Sequence, residues 1–271
     1  MTQRLKAIIV CPLFNFKLDE ESEKEFQISD QIKLRKIKND VLLKMKKAPY
    51  IYILGRSHAY LNSQTFVFEI NHGDFIEASR RVYEVLLAMR LFKTGAVFCK
   101  HFWVEQNSEQ RQFYAINPPI PRHNGDYLLN VDEIDEIKLL LKKISHIELE
   151  KNKSFRVACE RFSRSFEERR EDDKIIDLAI AFESLFTDKK TSRSNVMGQL
   201  IGLGCSMLIG TNQKDRDKIK NFLKKAFSIR NDIVHSSEVK TPIQINNKKY
   251  KMNEFALELQ EYLRASIKKL I

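Results

Sequence analysis

Residues 215–235 read DRDKIKNFLKKAFSIRNDIVH. Ile219, Phe222, Leu223, Ala226 and Phe227 recur every three or four positions, the spacing that lays side chains on one face of an α-helix. The helix is expected from about Asp215 to His235, its stripe continuing through Ile233 and Val234. The same period recurs on both sides. Upstream it runs through Ile134, Ile137, Leu141 and Ile144, then Phe155, Cys159, Phe162 and Phe166, then Ile175, Ala179, Phe182 and Phe186, and residues 196–209 are strongly apolar. Downstream it returns in Phe255, Leu259, Leu263 and Leu270. Helix after helix with no strand between them predicts a helical bundle over residues 131–271. Residues 243–249, IQINNKK, are the one stretch there that reads as a small hairpin.

Towards the N-terminus the period changes. Residues 7–16 are β-rich and cut by Pro12. Residues 25–28 and 31–37 alternate, and residues 50–54 and 65–70 are β-branched and aromatic. Asp74 can cap a helix reaching about Phe92, where Gly95 breaks it. Residues 96–105 resume strand character around Trp103, and residues 117–125, with three prolines, read as a loop. The expected fold is α+β: a mixed, strand-rich region over residues 1–130, of no assigned role, then the bundle.

The chain has 271 residues, 43% of them apolar, enough to bury a core, and a formal net charge of +11. The positive surplus, shared almost evenly between residues 1–130 and 131–271, favours a polyanion such as nucleic acid as partner. A basic protein without such a partner fits the same number. No segment is apolar for long enough to span a bilayer, so no membrane role is expected. Cys11, Cys99, Cys159 and Cys205 are far apart, without the spacing of a zinc site or disulfide scaffold, which suits a reducing cytoplasm.

Within residues 215–235, Arg230 breaks the pattern. It lies eleven residues after Ile219, roughly 20° away on a helical wheel, in the middle of the apolar face. A guanidinium there must be paired, face a cleft or face a partner chain. Glu183, at the edge of the stripe in residues 175–186, is a candidate partner. Asn231 and His235 are four apart and share a face, whereas Arg230 and His235 stand about 140° apart on a regular helix. Those two converge only if the helix ends or bends near Val234, which Ser236 and Ser237 permit, or if two copies of the helix form one cleft. A neutral-range imidazole accepts and returns protons, and a fixed guanidinium stabilises charge on a phosphate under attack. Asn231 can orient the imidazole or contact a phosphate oxygen. RNA supplies its own nucleophile, the 2′-hydroxyl, so this set requires neither metal nor cofactor. The structural alternative makes Arg230 half of a buried ion pair and His235 a capping residue.

Residues 177–186, DLAIAFESLF, followed by residues 229–235, IRNDIVH, resemble the Apea-like branch of the HEPN superfamily, which pairs an "ALEALF"-like helix with an "R-N-x-x-V-H" helix. Residues 261–267, EYLRASI, resemble its closing helix, and residues 85–92, VLLAMRLF, carry a weaker likeness upstream. The likeness covers most of the chain and is specific from about Phe155. It implies a C-terminal all-α bundle that forms a homodimer, with two Arg–His motifs in a shared cleft. It further implies metal-independent RNA cutting in prokaryotic anti-phage defence or toxin-type growth arrest, while other members keep the fold without shown activity. Arg230, Asn231 and His235 match the motif. Ser236 stands where a glycine often follows the histidine.

Two classes of function follow: an endoribonuclease working by 2′-hydroxyl attack to leave a cyclic phosphate, and a non-catalytic dimer that binds RNA, a nucleotide or a protein. Lys220, Lys224 and Lys225 precede the motif on the same helix as candidate RNA contacts, or as a solvated face. His58, His72, His101, His123 and His146 are scattered without ligand spacing. Gly202-Leu203-Gly204 reads as close helix packing.

Overall fold

The computed structural model describes residues 7–19, 24–47, 61–72, 74–99, 101–106, 110–115, 126–147, 151–187, 194–236, 239, 241–245 and 247–271. The architecture is α+β, with antiparallel strands in the N-terminal part and helices in the C-terminal part. The chain divides into two compact units, with the division between Ile144 and Ser145.

The first unit contains β1 (Ala7–Phe14), β2 (Phe16–Leu18), β3 (Phe26–Ser29), β4 (Ile32–Lys36), α1 (Asn39–Lys47), β5 (Phe66–Asn71), α2 (Phe75–Phe92), β6 (Phe98–Cys99), β7 (His101–Gln106), β8 (Gln110–Ala115), β9 (Tyr127–Leu129) and nearly all of α3 (Ile134–His146). The main sheet has the order β3-β4-β5-β1-β7-β8, with β6 also beside β1. Residues 9–13 are buried without alternation, as a strand covered on both faces requires. On one face Val10, Val67 and Trp103 cluster with Val41, Leu42 and Met45 of α1. On the other, Phe102 meets Phe75 of α2 edge-on, with centroids 5.2 Å apart.

Pro12 does not interrupt β1: it pairs opposite Val67. It sits where β1 leaves β7, last paired at Val10–Trp103, and takes up β6, first paired at Leu13–Cys99. A strand tolerates a missing N–H at such an irregularity. Asp74 caps α2 as expected, its Oδ1 accepting from the Ile76 amide at 2.8 Å. Gly95 follows with φ of 130°, where an added Cβ would lie 2.9 Å from Tyr127 Cδ2. The strand expected at residues 50–54 and the loop at 117–125 lie outside the described residues.

Helix α3 was expected to open the bundle but belongs with the strands. Its period says that it is a helix, not which core it covers. Glu133, in the 3-10 turn Val131–Glu133 before it, accepts from the Asn130 amide at 2.9 Å and pairs with Lys93 just after α2.

The second unit holds α4 (Lys153–Ser165), α5 (Glu171–Phe186), α6 (Ser194–Ile209), α7 (Gln213–Ser236), β10 (Ile243–Ile245), β11 (Lys248–Tyr250) and α8 (Met252–Leu270). α4 packs on α5, α6 packs on α7, and α8 packs chiefly on α5 and α6. The helical stripes become the core: Phe155, Cys159, Phe162, Ile175, Phe182, Leu223, Leu259 and Leu263 are all buried. Phe222 of α7 stacks on Phe255 of α8 at 4.7 Å. The hairpin expected at residues 243–249 is β10–β11, held by Lys248 Nζ on Glu258 Oε2 at 3.3 Å.

Candidate active site

Helices α5 and α7 position the site. Arg230 ends the buried run Ile219–Ile229 of α7. Its guanidinium stays half-buried, with 28% of the side chain exposed, because Glu183 of α5 meets it: Nη2 lies 3.4 Å from Oε1, and Glu183 is 26% exposed. Nη1 donates to Asn231 Oδ1 at 3.1 Å. The Nε atom is buried and has no hydrogen-bond partner among the described residues. Residues of two helices thus form one Glu183–Arg230–Asn231 chain. Asn231 turns its carbonyl to Arg230, a contact that the sequence did not suggest.

His235 is exposed, in the last turn of α7. Helix α7 continues through Val234 and His235 to Ser236, and Ser237 lies outside the described residues. Within one chain Arg230 and His235 therefore stand about 140° apart. Asn231 and His235 do share a face, because the i, i+4 relation holds along a continuous helix.

Lys220 and Lys224 are exposed, whereas Lys225 is half-buried and roughly 100° round from Lys224. Close packing is the role of the glycines opposite them. A Cβ on Gly202 would lie 3.1 Å from the Lys220 carbonyl oxygen, one on Gly198 2.9 Å from Phe227 Cβ, and one on Gly204 2.9 Å from Phe186 Cδ1.

The other residues of the resembling segments hold the bundle together. Asp177, 5% exposed at its side chain, takes Arg161 at 2.6 Å and Arg164 at 3.3 Å. Arg264 of α8 is buried, with its guanidinium 5.9 Å from the ring centroids of Phe162 and Phe166. In the first unit, Arg90 is buried and donates to the Val97 carbonyl at 3.0 Å. A buried charge inside an otherwise apolar helix was the available signal for all three.

Burial pushes the Cys159 thiol up to about 12 and the Cys205 thiol up to about 11, so neither is a ready nucleophile. His72 closes a local turn, its Nδ1 accepting from the Asp74 amide at 3.0 Å, and His146 is exposed at the end of α3. His58 and His123, and the side chain of His101, lie outside the described residues. Among the described residues, no three His, Cys, Asp or Glu side chains gather as a metal site would require. No helix among them is long and apolar enough to cross a membrane.

Comparison with family models, with curated proteins and with solved structures finds no match to this chain.

Proposed function

We propose that the protein is a metal-independent RNA endonuclease of HEPN type, acting by 2′-hydroxyl attack and leaving a cyclic phosphate, in anti-phage defence or toxin-type growth arrest. The supporting observation is the half-buried Arg230, held by Glu183 and Asn231, on the helix that exposes His235. Arg230 would take the charge of the pentacoordinate phosphorus. His235 would remove the proton from the 2′-hydroxyl or return one to the leaving 5′-oxygen.

Because α7 is unbroken, joining the two groups in one cleft calls for two copies of it. We therefore propose a cytoplasmic homodimer through the C-terminal bundle. Uncharged α6, with Val196, Leu200, Leu203 and Met207 exposed at 44%, 38%, 50% and 59%, offers apolar surface for it. The angular separation of Arg230 and His235 also favours a second reading, a HEPN dimer that binds RNA or protein without cutting. Incubating the purified chain with total RNA in EDTA separates the two. Fragments ending in 2′,3′-cyclic phosphate support the enzyme, and intact RNA supports the binding module. Light scattering that gives a monomer at micromolar concentration removes the dimer.

A further inference from the structure

We propose that a second copy of this chain docks on the exposed face of α6, with the two α6 helices side by side and parallel across a two-fold axis. The proposal rests on the shared-cleft reading above for its orientation; its location comes from α6 itself. Across residues 196–207, Val196, Gln199, Leu200, Leu203 and Met207 are exposed. The four apolar ones follow one another at four, three and four residues. That spacing keeps them within a sector of about 60° and along about 16 Å of helix axis. Gly198 and Gly202, which touch α7, lie about 150° round from that sector, and Ile201 and Cys205 are buried. Helix α6 is thus packed on one side and apolar on the other, where a surface helix ordinarily turns polar.

Charge decides the occupant. The chain carries a formal net charge of +11. At a two-fold axis a face meets its own copy, so a face bearing lysine or arginine meets like charge there. Among helices α4 to α8, α6 (SNVMGQLIGLGCSMLI) is the one without a charged residue. It lets this basic chain meet itself without repulsion. A nucleic acid finds no cation on α6 to hold its phosphates, and a charged protein segment finds no opposite charge. A stable dimer buries about 800 Å² per partner, with an apolar centre and a polar rim. The α6 stripe supplies the centre.

The orientation follows from how α6 runs. Gly198 lies against Phe227 and Gly202 against Lys220, so α6 and α7 are antiparallel. The Val196 end of α6 is therefore beside the end of α7 that carries Arg230, Asn231 and His235. Asn231 and His235 lie within about 80° of both Lys220 and Phe227 on the wheel, turned towards α6. Antiparallel α6 helices would set the two His235 ends about 16 Å apart along the interface, eleven residues at about 1.5 Å each. Parallel helices bring both ends together, and the partner's His235 then stands at the same end of the dimer as Arg230.

The test uses the full chain. Cys11, Cys99, Cys159 and Cys205 are all buried, so a cysteine introduced on the α6 face is the one that diamide oxidises. Val196→Cys and Met207→Cys, each alone, should give a disulfide-linked dimer, because each position meets its own copy. Leu200→Glu/Leu203→Glu should halve the mass seen by light scattering at micromolar concentration. Leu257→Glu/Leu270→Glu, on exposed leucines of α8, should leave that mass unchanged. Circular dichroism and melting check that every variant is folded. Linking only when Val196→Cys is mixed with Met207→Cys means antiparallel helices and overturns the orientation. A wild-type monomer, a Leu200→Glu/Leu203→Glu protein of wild-type mass, or an equal loss in the α8 control overturns the docking face. RNA cutting in EDTA with the face overturned keeps the enzyme. A dimer linked through both single cysteines that never cuts RNA keeps the face and rejects the enzyme.

Discussion

The Glu183–Arg230 pair can be measured without any assay of function. At 3.4 Å, two unit charges attract by about 5 kcal/mol at an effective dielectric of about 20. Desolvation offsets most of that. Fully exposed pairs give about 0–1 kcal/mol, and breaking a fully buried pair costs about 3–5 kcal/mol. Each of these side chains keeps about a quarter of its surface in water, 26% and 28%, so a coupling of about 1–2 kcal/mol is expected. The perturbation is a double-mutant cycle with Glu183→Gln, Arg230→Leu and both together, followed by urea unfolding. Each single change strands one half-buried polar group. The double change removes both charges, and the introduced leucine extends the buried row of Phe227 and Ile229, so it should lose less than the sum. In melting, each kcal/mol corresponds to about 2–4 °C. Additivity within about 0.5 kcal/mol would falsify the pairing that positions Arg230.

Three further outcomes are expected. Gly198→Ala forces a Cβ to 2.9 Å from Phe227 Cβ, so it should destabilise by about 1–3 kcal/mol despite a helix-propensity gain of about 1 kcal/mol; a rise in Tm contradicts the close α6–α7 seam. Glu258 is half-buried, and burial raises its pKa, but hydrogen bonds with Tyr250 and Lys248 and the charge of Lys218 outweigh it and hold the carboxyl below its ordinary range. A depressed carboxyl stabilises fully above its unfolded pKa of about 4.3 and loses that contribution as pH falls through the folded value. Glu258→Gln should therefore melt lower than wild type at pH 7, with the gap closing below about pH 4; a gap that widens on acidification refutes the sign. Asn231→Ala should slow RNA cutting less than Arg230→Lys does, since Asn231 supports a guanidinium whose two-donor fork lysine lacks; the reverse order, in initial rates, removes Asn231 from a supporting role.

Much of the fold was legible because periodicity reports burial. The stripes of α4, α5, α7 and α8 became the core except at their C-terminal ends, where Val234 and Leu270 are exposed, and the Glu183–Arg230 pair was visible as an arginine in the middle of one stripe and a glutamate at the edge of another. Helix α1 was missed: nine residues give only Val41, Leu42 and Met45 as a stripe, too few turns for a periodic signal. The strand β8 and the parallel pairing of β2 with β9 were missed because pairing is non-local. Pro12 misled because strand tolerance depends on where the neighbouring ladders change. Ser236 is the last described residue of α7 and Ser237 lies outside the described residues, so His235 sits inside the helix's final turn. That continuity sets Arg230 and His235 apart and aligns His235 with Lys220 and Lys224 instead.

The most direct measurement of the central claim is RNA cleavage in EDTA by His235→Ala beside wild type. His235 is exposed in the last turn of α7, so the variant should keep its circular dichroism and lose no more than about 0.5 kcal/mol of stability. If the imidazole transfers the proton, the initial rate should fall by about 10²–10⁴-fold, with cyclic-phosphate ends lost in proportion. A well-folded His235→Ala protein that cuts at the wild-type rate, or wild-type cutting that occurs only when magnesium is added, would contradict it.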